Sequence, residues 1–264
     1  MKTSAITVLE WTYEPKNFFE EPFSLAFCSG KISIAAGIAR GNFDSLHYAE
    51  GQAFRELAQA FLHTIFLAQQ VQVHQPFTLS QTALALEHSD GRRDVSVFLE
   101  SVVMTMSIGT VDMVHRDADG KVVVDTKAER LQRHADFRNE ISLLVPHDAA
   151  LKQMLQSFSN ALNDQDNLLT HLYEIRETLR SKFTDESAVR NAVNVSSGDW
   201  KRFGRLANDD PLLEGRHRGK HLGLRKATPD EANWALEFGQ RLIEGYARSS
   251  GHSSAGNNTQ SPRP

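Results

Sequence analysis

The sequence predicts an α+β fold, in which an N-terminal antiparallel sheet with one long helix is followed by a C-terminal helical bundle. Short segments rich in β-branched and aromatic residues, separated by turn residues, fill residues 1–126. Apolar residues then recur at helical spacing over residues 127–248. Residues 249–264 are mostly Ser, Gly, Asn and Pro, which predicts a disordered tail.

The predicted strands are separated by turn signals. Residues 29–30 (Ser-Gly) indicate a hairpin. Residues 89–91 (Ser-Asp-Gly) and 117–120 (Asp-Ala-Asp-Gly) indicate two further turns. The strands are predicted over residues 5–13, 23–28, 31–38, 77–88, 94–106, 110–115 and 121–125.

One long helix is predicted among these strands, over residues 45–70. Its apolar side chains recur at helical spacing and form a single face, made of Phe54, Leu57, Ala58, Phe61, Leu62 and Ile65. A helix of this kind buries its apolar face against a sheet, so the first part should be a helix layered on antiparallel strands.

The second part is predicted to be helical throughout. Thr126 and Glu129 predict a capping box. In this motif the Thr hydroxyl accepts a hydrogen bond from a backbone amide of the first turn, and the Glu carboxylate accepts one from the Thr amide. Apolar stripes follow within residues 151–162 and 168–183. Residues 228–231 combine a second capping box with Pro at the first helical position, and Trp234, Phe238, Leu242 and Tyr246 follow on one face. Successive amphipathic helices predict a bundle.

The amino-acid composition narrows the classes of protein to which this chain could belong. Hydrophobic residues make up 40% of the 264, which is enough to build cores and argues against a disordered chain. The single cysteine, Cys28, excludes an internal disulfide and fits a reducing compartment, and its apolar neighbours predict a buried thiol. The sequence shows neither a secretory signal nor an apolar run of the ~20 residues that a membrane span needs. We therefore expect a cytoplasmic protein without membrane contact.

Residues 215–221 (Gly-Arg-His-Arg-Gly-Lys-His) are the most informative stretch for function. Residues 215–226 hold five Lys or Arg and no acid, in a chain of formal net charge −4. Concentrated cations attract phosphate or carboxylate groups, and neighbouring imidazoles exchange protons near neutral pH. We therefore expect anion binding or phosphodiester chemistry here. Because Gly215 and Gly219 flank and interrupt the motif, a loop or short turn is expected.

The pair Arg216 and His221, separated by four residues, gives a resemblance to HEPN-type domains. These small helical bundles occur in many bacterial ribonucleases, toxins and defence proteins, and carry an Arg-x4–6-His motif before their closing helix. The resemblance covers residues 151–248, with similar segments at residues 172–174, 200–207 and 228–248. The whole chain also resembles a family of uncharacterised bacterial proteins, in the blocks at residues 18–22, 90–94, 172–176 and 208–220.

The HEPN resemblance implies RNA cleavage without a metal or cofactor. His221 would take the proton from a ribose 2′-OH, and Arg216 would stabilise the charge that develops on the phosphate oxygens. The residues expected to bind substrate are His217, Arg218, Lys220 and Asn208. Domains of this family usually pair so that two motifs face one cleft, which implies a homodimer acting on RNA.

Three other interpretations stay open. In the first, Arg216 pairs with Asp209, Asp210 or Glu214, and the protein is a non-catalytic scaffold whose N-terminal sheet recognises a partner. In the second, His217 and His221 share a helical face as two zinc ligands, although no third ligand is indicated. In the third, residues 186–206 are a helix-turn-helix that places its cations in a DNA major groove; these are Lys201, Arg202 and Arg205.

Overall fold

The computed structural model describes residues 5–88, 90–97, 114–116 and 122–256. The chain divides into two compact units: residues 1–66 with 75–110, and residues 67–74 with 111–264. The boundary expected from the sequence lay at residue 126. The structure confirms the predicted fold class, since an antiparallel sheet with helices in the first part is followed by a helical second part.

The sheet of the first unit has six strands in the order β2-β3-β4-β1-β5-β6, and every pairing is antiparallel. The strands are β1 (Ile6–Glu14), β2 (Phe23–Phe27), β3 (Gly30–Ala35), β4 (Ile38–Asp44), β5 (Thr78–Glu87) and β6 (Arg93–Val97). In the second unit, β7 (Val114–Arg116) pairs with β8 (Val122–Asp125). Most of the predicted strand 94–106, residues 110–113 of the predicted strand 110–115, and the turn at 117–120 lie outside the described residues.

The sheet corrects two predictions. The expected strand 31–38 ends at Ala35, because Ala36 (φ 48°) and Gly37 (φ 87°) turn the chain back into β4, which was not predicted. Cys28 is exposed rather than buried, since it occupies the two-residue turn between β2 and β3. Apolar neighbours along the chain predicted burial, but a turn residue points away from both strands.

The predicted long helix is broken into α1 (Leu46–Glu50) and α2 (Gln52–Val73). Gly51 has a positive φ of 56°, a conformation that glycine adopts without the steric cost of a side chain. In the first unit, α2 packs on the sheet through aromatic rings. The Phe54 ring meets that of Phe43 edge-on at 5.0 Å between centroids, and the Phe66 ring meets that of Tyr13 at 5.2 Å.

The helices of the second unit are α3 (Thr126–Leu144), α4 (Ala149–Asn163), α5 (Leu168–Lys182), α6 (Glu186–Val193), α7 (Ser197–Asn208) and α8 (Pro229–Gly256). The cap of α3 is Asp125, whose carboxylate accepts from the Ala128 amide, so the predicted capping box at Thr126 is wrong by one residue. The capping box at Thr228 and Glu231 is confirmed, with reciprocal bonds of 3.2 and 2.8 Å. The predicted tail is wrong for residues 249–256, which continue α8, and its remainder lies outside the described residues.

The end of α2 contributes to the second unit although it precedes the bundle in sequence. Gln69 accepts a hydrogen bond of 2.6 Å from the buried Arg138 of α3, whose pKa burial lowers to about 10. His74 bonds Gln240 of α8 at 2.8 Å, and burial lowers the pKa of this imidazole. The His74 ring also lies 5.5 Å from that of Phe158 in α4. Residues 67–74 are therefore part of the bundle's polar and aromatic packing.

Candidate functional site

The basic loop, defined as residues 209–228, joins α7 to α8 and contains one 3₁₀ turn, Arg218–Lys220. The structure confirms that the motif lies on a loop with a short turn. His221 has extended backbone angles (φ −120°, ψ 136°), so His217 and His221 do not share a helical face. The zinc interpretation, which needs that face, is wrong. Within the described ranges, no three His, Cys, Asp or Glu residues are grouped to hold a metal ion.

Backbone hydrogen bonds fold the basic loop back on itself. The Arg216 amide donates to the Ala207 carbonyl at 2.9 Å, which ties the motif to the last turn of α7. The Leu213 amide donates to the Arg225 carbonyl, and the Arg225 amide donates to the Pro211 carbonyl, both at 2.9 Å. These two bonds close the loop. These bonds position the motif through main-chain atoms and leave side chains available for other contacts.

The Arg216 side chain rests on α5. Its guanidinium carbon lies 4.5 Å from the centroid of the Tyr173 ring, and its Nη1 donates to Glu177 at 2.8 Å. The carboxylate partner is thus Glu177, and the pairing expected with Asp209, Asp210 or Glu214 is wrong. The side chains of Arg216 and Glu177 are 29% and 47% exposed, so the ion pair is solvent-screened and contributes at most about 1 kcal/mol.

The Arg218 guanidinium donates hydrogen bonds to two backbone carbonyls and one side chain of the protein itself. Its Nε donates to the Gly215 carbonyl at 3.1 Å, and its Nη2 donates to the Asp166 carbonyl at 2.7 Å and to the side chain of Asn167. This guanidinium therefore ties the basic loop to the connection between α4 and α5. A substrate phosphate would have to compete with three internal acceptors.

The remaining candidates occupy different environments. His217 and Lys220 are exposed, whereas His221 and Asn208 are partly buried. The His221 Nε2 and the Asn208 Oδ1 are each buried without a hydrogen-bond partner among the described residues. Among the hydrogen bonds of the described residues, none joins the Arg216 guanidinium to the His221 imidazole. The structure therefore places all the candidates on one loop and its preceding helix end without assembling the expected catalytic pair.

A second guanidinium, which was not predicted from the sequence, lies over the Tyr173 ring. Arg176 of α5 lies 5.2 Å from the Tyr173 centroid and 4.5 Å from the Trp200 centroid, and its Nη2 donates to Glu186 at 3.3 Å. A side chain at Gly204 would collide with its Nη1, so glycine is required there for the guanidinium to lie across α7. The i, i+3 and i, i+4 spacing of residues 173, 176 and 177 on α5 is the signal that could have indicated a shared face.

Arg225 is held at the opposite end of the basic loop. Both of its terminal nitrogens donate to Glu231 at 2.7 Å, and this hydrogen bonding lowers the Glu231 pKa to about 2. The same carboxylate accepts from the Thr228 amide at the start of α8. Arg225 therefore reinforces a helix cap.

No protein-family model, curated protein or solved structure matches this chain. Among the described helices, none combines the length and apolar character needed to cross a bilayer. The basic loop and the α5 face beside it therefore carry the structural indications of function.

Proposed function

We propose that the helical unit binds a polyanion, with RNA as the favoured ligand, through the basic loop and the adjacent face of α5. The observation that most supports this proposal is that the Arg216 guanidinium is held in place but only partly hydrogen-bonded. Tyr173 and Glu177 hold its guanidinium in place, yet its Nε and Nη2 form no hydrogen bond to any other described residue. A planar, permanently charged donor that is positioned but only partly engaged suits a phosphate group.

The charge around Arg216 supports the same proposal. Residues 199–226 contain eight Lys or Arg against four acids, within a chain of net charge −4. Lys201, Arg202 and Lys220 have exposed side chains. Binding to a phosphate backbone depends on such cations and is independent of base sequence. A local basic surface on an acidic protein therefore favours a polyanionic ligand.

RNA cleavage is an extension of this proposal. His221 would act as the base towards a ribose 2′-OH, and Arg216 would stabilise the charge on the phosphate. Since no described hydrogen bond links these two side chains, binding of RNA, or pairing with a second copy of the chain, would have to bring them to one phosphodiester. Binding is therefore the first property to test, and cleavage the second.

A non-catalytic scaffold is the second candidate, and a specific observation favours it. Arg218 bonds backbone carbonyls, Arg225 bonds Glu231, and Arg216 bonds Glu177. In a scaffold these arginines would serve only to hold the basic loop against α5 and α8. The two candidates differ in what Arg216→Ala does to ligand affinity.

Fluorescence anisotropy with labelled single-stranded RNA in EDTA tests the proposal. We expect the affinity to fall steeply with added salt, because cations released from the RNA drive binding. Arg216→Ala and Lys220→Ala should each weaken binding by about tenfold and reduce the salt dependence by about one ion. Lys152→Ala, an exposed cation on the first turns of α4, is the matched control and should bind as the wild type does.

Two outcomes would contradict the proposal. Folded wild-type protein that fails to bind RNA at low salt would favour the scaffold, and so would an equal loss in Lys152→Ala, which would indicate a diffuse charge effect. Cleavage is followed in the same samples by gel electrophoresis. If cleavage occurs, His221→Ala should abolish it while the dissociation constant stays within about twofold of the wild type, since binding depends mainly on the cations.

A further inference from the structure

The first unit brings together a serine, a histidine and a glutamate that lie apart in the sequence. Ser29 is in the turn between β2 and β3, His47 is on α1, and Glu50 ends that helix. The Ser29 Oγ lies 2.8 Å from the His47 Nε2, and the Glu50 Oε2 lies 3.2 Å from the His47 Nδ1. The hydroxyl and the carboxylate therefore contact opposite nitrogens of one imidazole. A nucleophile, a base and an orienting acid are arranged in this order in serine hydrolases.

Packing holds the imidazole in this position. The His47 ring stacks on that of Phe54 in α2, at 4.1 Å between centroids and 10° between planes. Its side chain is only 17% exposed, whereas Ser29 is exposed at the tip of the hairpin. The contact of Nδ1 with Glu50 is an ion-pair contact that does not meet the geometry of a hydrogen bond. Such contacts are often loose before substrate binds.

The turn also provides a donor for a developing oxyanion. Phe27 and Gly30 are paired across the hairpin, so Cys28 and Ser29 form a two-residue turn. The backbone N–H of Ser29 forms no hydrogen bond to another described residue. An unpaired amide on the nucleophile's own residue is one of the two donors that stabilise the tetrahedral intermediate in serine proteases.

We propose that Ser29 and His47 form a catalytic pair that hydrolyses small carboxylic esters, with Glu50 as a positioning residue. The Ser29 oxygen adds to the carbonyl carbon, and its proton passes to the His47 Nε2. The intermediate then expels the alcohol oxygen, which takes that proton and leaves an acyl-serine. Water adds to the acyl group by the same route, releasing the carboxylic acid and restoring the hydroxyl.

The exposed position of the site is compatible with a small, water-soluble ester as substrate. Ser29 lies on an exposed turn, and Leu46, which precedes His47 in α1, exposes 73% of its surface beside the motif. This arrangement offers apolar surface for a short acyl or alkyl group. The proposal is independent of RNA binding, because none of its residues belongs to the basic loop.

Labelling with a fluorophosphonate probe tests the pair in the full-length protein. The serine oxygen displaces fluoride from phosphorus, and peptide mass spectrometry locates the modified residue. Cys28→Ala serves as the background in every sample, so that the neighbouring thiol cannot react. We expect Ser29 to be labelled, and we expect His47→Gln to slow the labelling by about 10²-fold through loss of the general base. The glutamine keeps a polar side chain beside the hydroxyl, so the fold should be preserved.

Ser33 supplies the matched control, since its hydroxyl lies on the same hairpin and, among the described residues, bonds only Ser24, at 3.1 Å. Ser33→Ala should leave the labelling rate unchanged. In hydrolysis of p-nitrophenyl acetate, Glu50→Gln should lower kcat and leave KM unchanged, as expected for a positioning residue. Equal labelling of Ser29 and Ser33, or labelling of Ser29 that survives His47→Gln, would overturn the proposal, and so would unlabelled, folded protein.

Discussion

Arg176 and Arg216 lie over the same tyrosine ring but differ in their exposure to water. The Arg176 side chain is 9% exposed and packs between Tyr173 and Trp200, whereas that of Arg216 is 29% exposed and meets solvent beside Glu177. A buried guanidinium is held by the rings and helices around it, so its loss leaves a gap in the bundle. An exposed one adds little stability and remains available to a ligand. Burial therefore assigns Arg176 a structural role and leaves the Arg216 guanidinium accessible to the proposed ligand.

The largest effect should follow from removing the buried arginine. Arg176→Ala takes away the side chain that fills the space between two aromatic rings and α7, and we expect a loss of about 2–4 kcal/mol in the free energy of unfolding. Urea denaturation measures it. Arg216→Ala is the paired control and should lose no more than about 1 kcal/mol. If both variants lose the same stability, the contrast between the two positions is wrong.

An intermediate effect is expected on ligand affinity from Glu177→Gln. This carboxylate holds the Arg216 Nη1 at 2.8 Å and repels a phosphate approaching the same guanidinium. Neutralising it should tighten RNA binding several-fold while changing stability by less than about 0.5 kcal/mol. Glu129→Gln removes an exposed carboxylate from the start of α3 and controls for net charge. Weaker binding by Glu177→Gln alone would show that the carboxylate orients Arg216 instead of competing with the ligand.

The smallest effect concerns the acid dependence of the cap on α8. Glu231 has its pKa lowered from 4.5 to about 2 by Arg225, so its ionised form is favoured in the folded state. The stabilisation is complete above the ordinary pKa and is lost as the pH falls towards the folded value. Solvent screening limits it to less than about 1 kcal/mol. Urea midpoints at about pH 6 and pH 3 should differ less in Glu231→Gln than in the wild type. If the difference is the same in both proteins, the Glu231 carboxylate is not the source of the acid dependence.

Local patterns predicted those parts of the fold that local chemistry determines. The capping box at Thr228 was recognised because its partners are three residues apart, and the apolar stripe of α4 because its period is that of a helix. Strand β4 was missed because Arg40, Gly41 and Asn42 resemble a turn, although β1 pairs with them at the centre of the sheet. Pairing between distant strands overrode local preference there.

Most partners of the candidate site residues come from distant parts of the chain, so the sequence could not indicate them. Arg216 stood out through the cations around it, but its partner Glu177 lies 39 positions away and is defined only by the packing of α5. The spacing of Tyr173 and Arg176 along α5 could have placed both side chains on one face, but no local pattern indicated the second ring, Trp200, which comes from α7. Ser29 and His47, 18 positions apart, were brought together by a hairpin and a helix. Tertiary contacts of this kind have no local signature.

Helix α2 has a consequence for how the protein can be divided. Gln69 and His74 belong to the second unit, where they bond Arg138 and Gln240, yet they precede strands β5 and β6 of the first unit in the chain. A truncation that begins at residue 127 would delete both partners and uncover the ring of Phe158. The bundle is thus discontinuous in sequence, and expressing it alone would require residues 67–74 to be reattached, for example by circular permutation.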